Sequence, residues 1–216
     1  MMLPCCPLCR QSDCPPFSQV DGRHYFRCPR CELTFLHPQQ LPASDAERAH
    51  YNLHENDPDD PGYRAFLDRL ASPLCEHLKS GSEGLDFGCG PGPALARMLE
   101  QRGHLMAVYD PLFAPDTTVL ARQYDFVTCT EVVEHFHQPA KEFELLISLV
   151  RPGGLLAIMT SLLHERIDFQ KWHYRRDPTH VCFYHQQTFL WLARRHGLLV
   201  REMDDGAIVI MQRRQY

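Results

Sequence analysis

Hydrophobic positions change their period along this chain, and the changes divide it. Residues 1–40 show little periodicity, whereas "GYRAFLDRLASPLCEHL" (62–78) repeats apolar residues at helical spacing. From residue 84, short apolar runs alternate with helical stretches. "GLDFG" (84–88), "HLMAVYD" (104–110), "YDFVTCT" (124–130) and "LLAIMTS" (155–161) read as strands. "PALARMLEQRG" (93–103), "PAKEFELLISLV" (139–150) and "HQQTFLWLARRHG" (185–197) read as helices, and "RPGG" (151–154) as a turn. This alternation predicts an α/β fold, a doubly wound and mainly parallel sheet with helices on both faces. Two last runs, "LLVREM" (198–203) and "AIVIMQRR" (207–214), are joined by "DDG" and predict an antiparallel hairpin at the sheet edge.

Three segments result: a small module over 1–40, a helical linker or lid over 41–80, and the α/β domain over 81–216. The second opens with "ASDAERAHYNLH" (43–54), where Ser44 reads as an N-cap and Glu47 completes a capping box. Of the 216 residues 44% are hydrophobic, enough for a sizeable core, and the net charge of −5 supplies no global attraction for nucleic acid. There is no secretory pattern behind Met1 and no apolar run approaching the roughly 18 residues of a membrane span, so a soluble cytoplasmic protein is expected. Ten cysteines in a reducing compartment suggest metal before disulfide.

The cysteines have a pattern. Cys6, Cys9, Cys28 and Cys31 form C-x2-C-x18-C-x2-C, the spacing of a four-thiolate zinc site. Four thiolates close a tetrahedron, so the ion would be structural. "YFRC" and "LTFL" around the second pair read as strands of a zinc ribbon. A redox dithiol or a disulfide pair is the alternative.

Between the first strand and its helix lie Gly88, Gly90 and Gly92. Glycine lets a ligand lie against the backbone, and the helix start adds a positive end. Pro93 spoils a dinucleotide fingerprint, and the lysine of a P-loop is absent. Asp86 argues against phosphate and for a ligand carrying a positive charge. Asp110, 20 residues after Gly90, ends the next strand, where a carboxylate can accept bonds from both hydroxyls of a ribose.

The ordered set "LDFGCGPG", "VYDP", "YDFVTCTEVVEH" and "LVRPGGLLAIMTS" resembles the motifs of class I S-adenosylmethionine-dependent methyltransferases, over residues 84 to about 210. The resemblance implies a Rossmann-like fold and S-adenosyl-L-methionine as cofactor. It implies that Asp86, Gly88, Gly90 and Gly92 surround its methionine part, that Asp110 holds its ribose, and that Glu131 lies near the methyl donor. That family places a helix, a strand and a helix between its second and fourth strands. Here only "PLFAPDTTVLARQ" (111–123) is available, too short for a crossover and more. One short helix near 116–122, capped by Asp116, is expected, with no regular third strand and no assigned acid for the adenine amino group.

"EVVEH" (131–135) and the "TH" at 179–180 resemble two metal-assisted methyltransferase groups, one acting on ubiquinone precursors and one on the 3′ ends of small RNAs. By that resemblance Glu131, Glu134, His135 and His180 would hold a second divalent cation. The other reading has no metal, since "E-x-x-EH" is common in this fold without one and packing with one hydrogen bond satisfies His135; His135 and His180 are also the candidate catalytic bases. Trp172, His173, Tyr174, Arg175 and Arg176 suit a planar or anionic substrate by stacking and charge. The reading is therefore a methyltransferase with an N-terminal zinc ribbon, acting on a small-molecule O, N or C nucleophile. The alternatives are an RNA substrate or a non-catalytic binding module that keeps the cofactor fold.

Overall fold

A computed structural model describes residues 3–43, 47 and 57–215. The expected helix over 43–54 and its Ser44 cap lie outside the described residues, Ala43 and Glu47 apart. The chain runs β1 (Pro16–Val20), β2 (Arg23–Arg27), β3 (Thr34–Leu36), α1 (Pro61–His77), β4 (Glu83–Phe87), α2 (Ala94–Gln101), β5 (Leu105–Tyr109), β6 (Tyr124–Thr130), α3 (Pro139–Ser148), β7 (Val150–Met159), β8 (Cys182–Phe183), α4 (Gln186–His196), β9 (Leu198–Met203) and β10 (Ile208–Arg213). Six strands form the central sheet in the order β5-β4-β6-β7-β10-β9. β4, β5, β6 and β7 are parallel, and β10 is antiparallel to both β7 and β9. The expected fold class is observed. The last strand inserts between β7 and β9, which puts β9 at the edge.

The pleat explains why the sheet is covered on both sides. Along β7, Leu155, Ala157 and Met159 join one apolar cluster, and Leu156 and Ile158 join the other. Leu67, Leu70 and Leu74 of α1 and Leu95 and Met98 of α2 pack on the first face. Phe143 and Leu146 of α3 and Phe189 and Leu192 of α4 pack on the second. Asp60 caps α1 through the Tyr63 amide, and Gly197 ends α4 in the left-handed region at φ 67°.

"RPGG" is not a turn before the strand. β7 already starts at Val150, which pairs with Tyr124, while Leu155 pairs with Phe126, so these four residues bulge from a continuous strand. Arg151 uses the bulge to bond Asp125 (2.7 Å) and Glu83 (2.5 Å). After β5, Asp116 caps a 3-10 turn over Thr117–Ala121, as expected, and no strand follows before β6. β5 is therefore a sheet edge.

A second sheet has the order β1-β2-β3-β8. β2 and β3 are the two strands expected around the second cysteine pair. β8 comes from the stretch between 155–161 and 185–197, where the apolar pattern predicts no element, and pairs Phe35 with Cys182 and Thr34 with Phe183. No helix among the described residues is long and apolar enough to cross a membrane.

Candidate active site

The glycine turn is stapled to the end of β5. Gly88 and Cys89 donate to the Tyr109 carbonyl (2.7 and 3.2 Å), and the Gly90 amide donates to Asp110 Oδ2 (3.1 Å). Asp110 Oδ1 accepts from the amides of Leu112 (2.8 Å) and Phe113 (3.1 Å). Gly88 and Gly90 take φ of 80° and 64°, which only glycine adopts freely. At Gly88 a Cβ would lie 2.3 Å from Val132 Cγ2, so the missing side chain admits protein packing rather than ligand. Asp86 is 4% exposed and accepts from Thr128 Oγ1 (2.7 Å). Burial pushes its carboxyl up to about 6, against the Thr128 bond and with a smaller push from Asp110.

A cavity of about 720 Å³ opens at the carboxyl ends of β4, β5 and β6, where open α/β sheets bind ligands. Gly88, Cys89, Gly90, Pro91 and Asp110 line one end. Glu131, His135, Tyr174, Asp177 and His180 line the other, and Tyr63 and Phe66 of α1 also face it. Asp86 and Gly92 do not line it.

At the second end the chain leaves β6 through Glu131 at φ 53° and makes a 3-10 turn over Val133–His135. Glu134 is fully buried. Its Oε2 accepts from Thr160 Oγ1 (2.9 Å), and its Oε1 has no hydrogen-bond partner among the described residues. Burial, reinforced by Glu131, raises the Glu134 carboxyl well above the ordinary range. Burial also raises Glu131, to about 7, while a bond from Tyr174 and the charge of Arg69 pull it down. The imidazoles of His135 and His180 stand edge to face, 4.7 Å between centroids. His135 Nδ1 lies 3.2 Å from the Thr179 carbonyl and His180 Nδ1 2.7 Å from the Tyr174 carbonyl. A carbonyl only accepts, so each ring donates from Nδ1 and turns Nε2 the other way. His135 Nε2 is 3.9 Å from Glu134 Oε1, and His180 Nε2 is 3.8 Å from Asp177 Oδ2. Glu134, His135 and His180 offer ligand atoms within 4.8 Å of one another, a set that does not include Glu131. Thr160 and Asp177 carried no signal in the sequence, because only the fold brings them to this cluster.

The aromatic and basic stretch at 172–176 divides. His173 and Tyr174 line the cavity. Trp172 does not line the cavity but packs on Tyr174 (5.2 Å), Phe183 and Phe169, and Arg175 is 4% exposed, bonded to Asp21 Oδ2 (2.9 Å) and the Gln170 carbonyl (3.0 Å). Of the groups expected to meet a substrate, Arg175 is therefore engaged by Asp21 and Trp172 by aromatic packing, while His173 and Tyr174 face the cavity.

The four N-terminal cysteines converge. Cys6 and Cys31 sulfurs are 3.6 Å apart, Cys9 and Cys28 3.3 Å, and all four are buried within 4.8 Å of one another. The two "C-P-x-C" turns repeat each other. In both, the residue after the second cysteine is left-handed (Arg10 φ 62°, Glu32 φ 60°) and donates its amide to the first cysteine's carbonyl. In both, an amide also points at the first sulfur, from Cys9 to Cys6 (3.5 Å) and from Arg30 to Cys28 (3.4 Å). Bonds from Cys31, Cys6 and Cys9 hold the Cys28 sulfur far below the ordinary thiol range. Cys5 is exposed and outside the cluster.

A family model described as a methyltransferase domain matches residues 56–203, well over half of the chain. The chain belongs to this methyltransferase family. Two ubiquinone biosynthesis O-methyltransferases resemble it in part. That of Aeromonas salmonicida (strain A449) is 39% identical over 36% of this methyltransferase and 32% of its own length. That of Marinobacter nauticus is 32% identical over 38% and 44%. The chain thus spans less than half the length of these curated relatives. Among solved structures, the Burkholderia thailandensis 1,6-didemethyltoxoflavin-N1-methyltransferase, with bound 1,6-didemethyltoxoflavin and S-adenosylhomocysteine, superposes with a TM-score of 0.56. It is 16% identical, over 93% of this chain and 99% of that one. The magnesium protoporphyrin IX methyltransferase of Synechocystis PCC 6803, with bound S-adenosylhomocysteine, gives 0.52 at 16% identity, over 79% and 94%. At these identities the likeness is one of fold.

Proposed function

We propose that this methyltransferase moves a methyl group from S-adenosyl-L-methionine to a hydroxyl of a small molecule. The observation that carries the reading is that one cavity joins the stapled glycine turn to the His135–His180–Glu134 cluster. S-adenosylmethionine, when bound, supplies an electrophilic methyl group on a sulfonium. Gly88, Gly90 and Asp110 would hold it, Asp110 keeping oxygen lone pairs for ribose hydroxyls beyond its bonds to Gly90, Leu112 and Phe113. Asp86 and Gly92 would act from beneath, by charge and by shaping the turn, and Glu131 from the donor side. His135 or His180, with Nε2 as the acceptor nitrogen, would take the proton of the attacking hydroxyl. In-line transfer then depends on alignment within a preorganised field. Oxygen is preferred over carbon or nitrogen because a paired-imidazole base is most useful to a hydroxyl, and the curated relatives are named O-methyltransferases.

Glu134 Oε1 favours a second reading of the same cluster. A buried carboxylate oxygen without a hydrogen-bond donor, facing two imidazoles whose Nδ1 atoms are fixed by carbonyls, is a donor set suited to a divalent cation. Glu134, His135 and His180 would be its ligands and would orient acceptor oxygens at the open positions. In the ribbon, zinc would be held by Cys6, Cys9, Cys28 and Cys31. Tetrahedral Zn–S bonds of about 2.3 Å place sulfurs about 3.8 Å apart, close to the spacing here.

Two experiments test the reading. Calorimetry with S-adenosylhomocysteine should show binding that Asp110→Ala weakens, and no binding refutes it. Labelled-methyl transfer into a small-molecule extract is then measured after loosely held metal is removed, with ribbon zinc verified. Full activity in that state dismisses the cation and leaves the histidine base.

A further inference from the structure

Segment 174–183 has two owners. On one side it builds the acceptor end of the cavity with Tyr174, Asp177 and His180. On the other it is bound to the ribbon at four places. Arg23 Nη2, at the start of β2, donates to the Pro178 carbonyl (2.6 Å), and Arg175 Nη1 donates to Oδ2 of Asp21 in the turn before β2 (2.9 Å). β8 extends the ribbon sheet through β3. Tyr25 packs on Phe169 (4.9 Å) and Phe183 (5.9 Å). Val181 joins the two sides in one residue. Its carbonyl accepts from Leu36 of the ribbon (2.9 Å), and its amide donates to the carbonyl of Glu134 (2.9 Å).

We infer that the ribbon sets the position of His180 relative to His135 and Glu134, with Asp21 and Arg23 as positioning residues that fix loop 174–180 from outside the cavity. The physical reason is that this loop has little regular structure of its own. It contains one short 3-10 turn, Tyr174–Arg176, and turn bonds within itself, from the Thr179 amide to Asp177 Oδ1 and from His180 Nδ1 to the Tyr174 carbonyl, so where this unit sits depends on the bonds it makes outside itself. A loop so held samples few conformations only while its external anchors hold. Arg175 is an expensive anchor. A guanidinium at 4% exposure whose one ion-pair partner among the described residues is Asp21 is left with the Gln170 carbonyl and no counter-charge when that partner is lost. The ribbon would therefore be part of the acceptor site without lining it. The inference rests on the reading of the His135–His180 end as the acceptor end.

The test uses the full chain, zinc-loaded, with Asp21→Asn/Arg23→Gln compared to the unmodified protein and to Asp21→Glu/Arg23→Lys. Both changed positions lie on the ribbon surface and touch no residue of the glycine turn. Three quantities are read: S-adenosylhomocysteine affinity, amide hydrogen exchange over 174–184, and the ring ¹⁵N signals of His180, assigned with His180→Gln. In Asp21→Asn/Arg23→Gln, affinity should stay within about twofold, exchange at His180 and Val181 should quicken about tenfold, and the Nδ1–H signal of His180 should average between tautomers. The Glu/Lys pair should restore both. Unchanged exchange and an unchanged His180 signal would overturn the inference. So would lost protection in β2 and β3 without any change at 174–181. If the unmodified protein binds no S-adenosylhomocysteine, the methyl-transfer reading falls, while the exchange and ring signals still decide the role of the ribbon.

Discussion

Asp86→Asn should make the ligand-free protein more stable and the cofactor site worse. Asp86 sits at 4% exposure with Thr128 Oγ1 bonded to one oxygen, and burial pushes its carboxyl from 3.8 up to about 6. A carboxyl raised by folding favours the folded state in its protonated form. Its contribution is complete below the ordinary value near 4 and is lost as pH rises through about 6. A rise of about two pKa units corresponds to about 3 kcal/mol, so ionised Asp86 costs roughly that at pH 7.5. Asparagine keeps an acceptor oxygen for Thr128 and carries no charge. The stability of Asp86→Asn relative to the unmodified protein should therefore be about 3 kcal/mol more favourable at pH 7.5 than at pH 4, or roughly 6–12 °C in Tm for a chain of this size. Paired melts at several pH values read this difference, and the response of the ribbon cancels because both proteins carry it. A stability difference that is flat between pH 4 and 7.5 would refute the reasoning. Weaker S-adenosylhomocysteine binding in the same variant would identify the buried charge as a stability cost retained for function.

Asp110→Ala should weaken S-adenosylhomocysteine binding by about 1.5–3 kcal/mol by calorimetry, since it removes charge-assisted bonds and frees the Gly90 amide from the end of β5. Gly88→Ala should destabilise by about 2–4 kcal/mol in urea melts, from the left-handed backbone and a Cβ 2.3 Å from Val132 Cγ2. Val132→Ala should recover only the packing part, and full recovery would show that the backbone conformation costs nothing. Elemental analysis should find one zinc per chain in the ribbon, lost in Cys28→Ser, and a zinc-free protein purified without chelators would remove the ribbon assignment.

The mainly parallel sheet, the antiparallel closing pair, the four-cysteine cluster and the missing third strand could all be read before any coordinates. Each depends on local quantities: the period of apolar residues, the length of "PLFAPDTTVLARQ", or the spacing of four sulfurs. Gly88 was visible as a glycine, but its neighbour was not, because Val132 is 44 residues away and meets it only when β6 lies beside β4. "RPGG" looked like a turn because proline and glycine end strands locally, yet pairing on both sides carries the strand through it as a bulge. Trp172 and Arg175 looked like substrate contacts because stacking and charge are properties of side chains. Their direction is set by distant partners, Asp21 for Arg175 and, for Trp172, Phe183 of β8, a strand of two residues too short for any periodicity to announce. The sequence by itself determined which elements form and which chemistry is present. The tertiary structure decided which of those groups meet in the cavity, because that depends on contacts between segments distant in the chain, such as Gly88 with Val132 and His135 with His180.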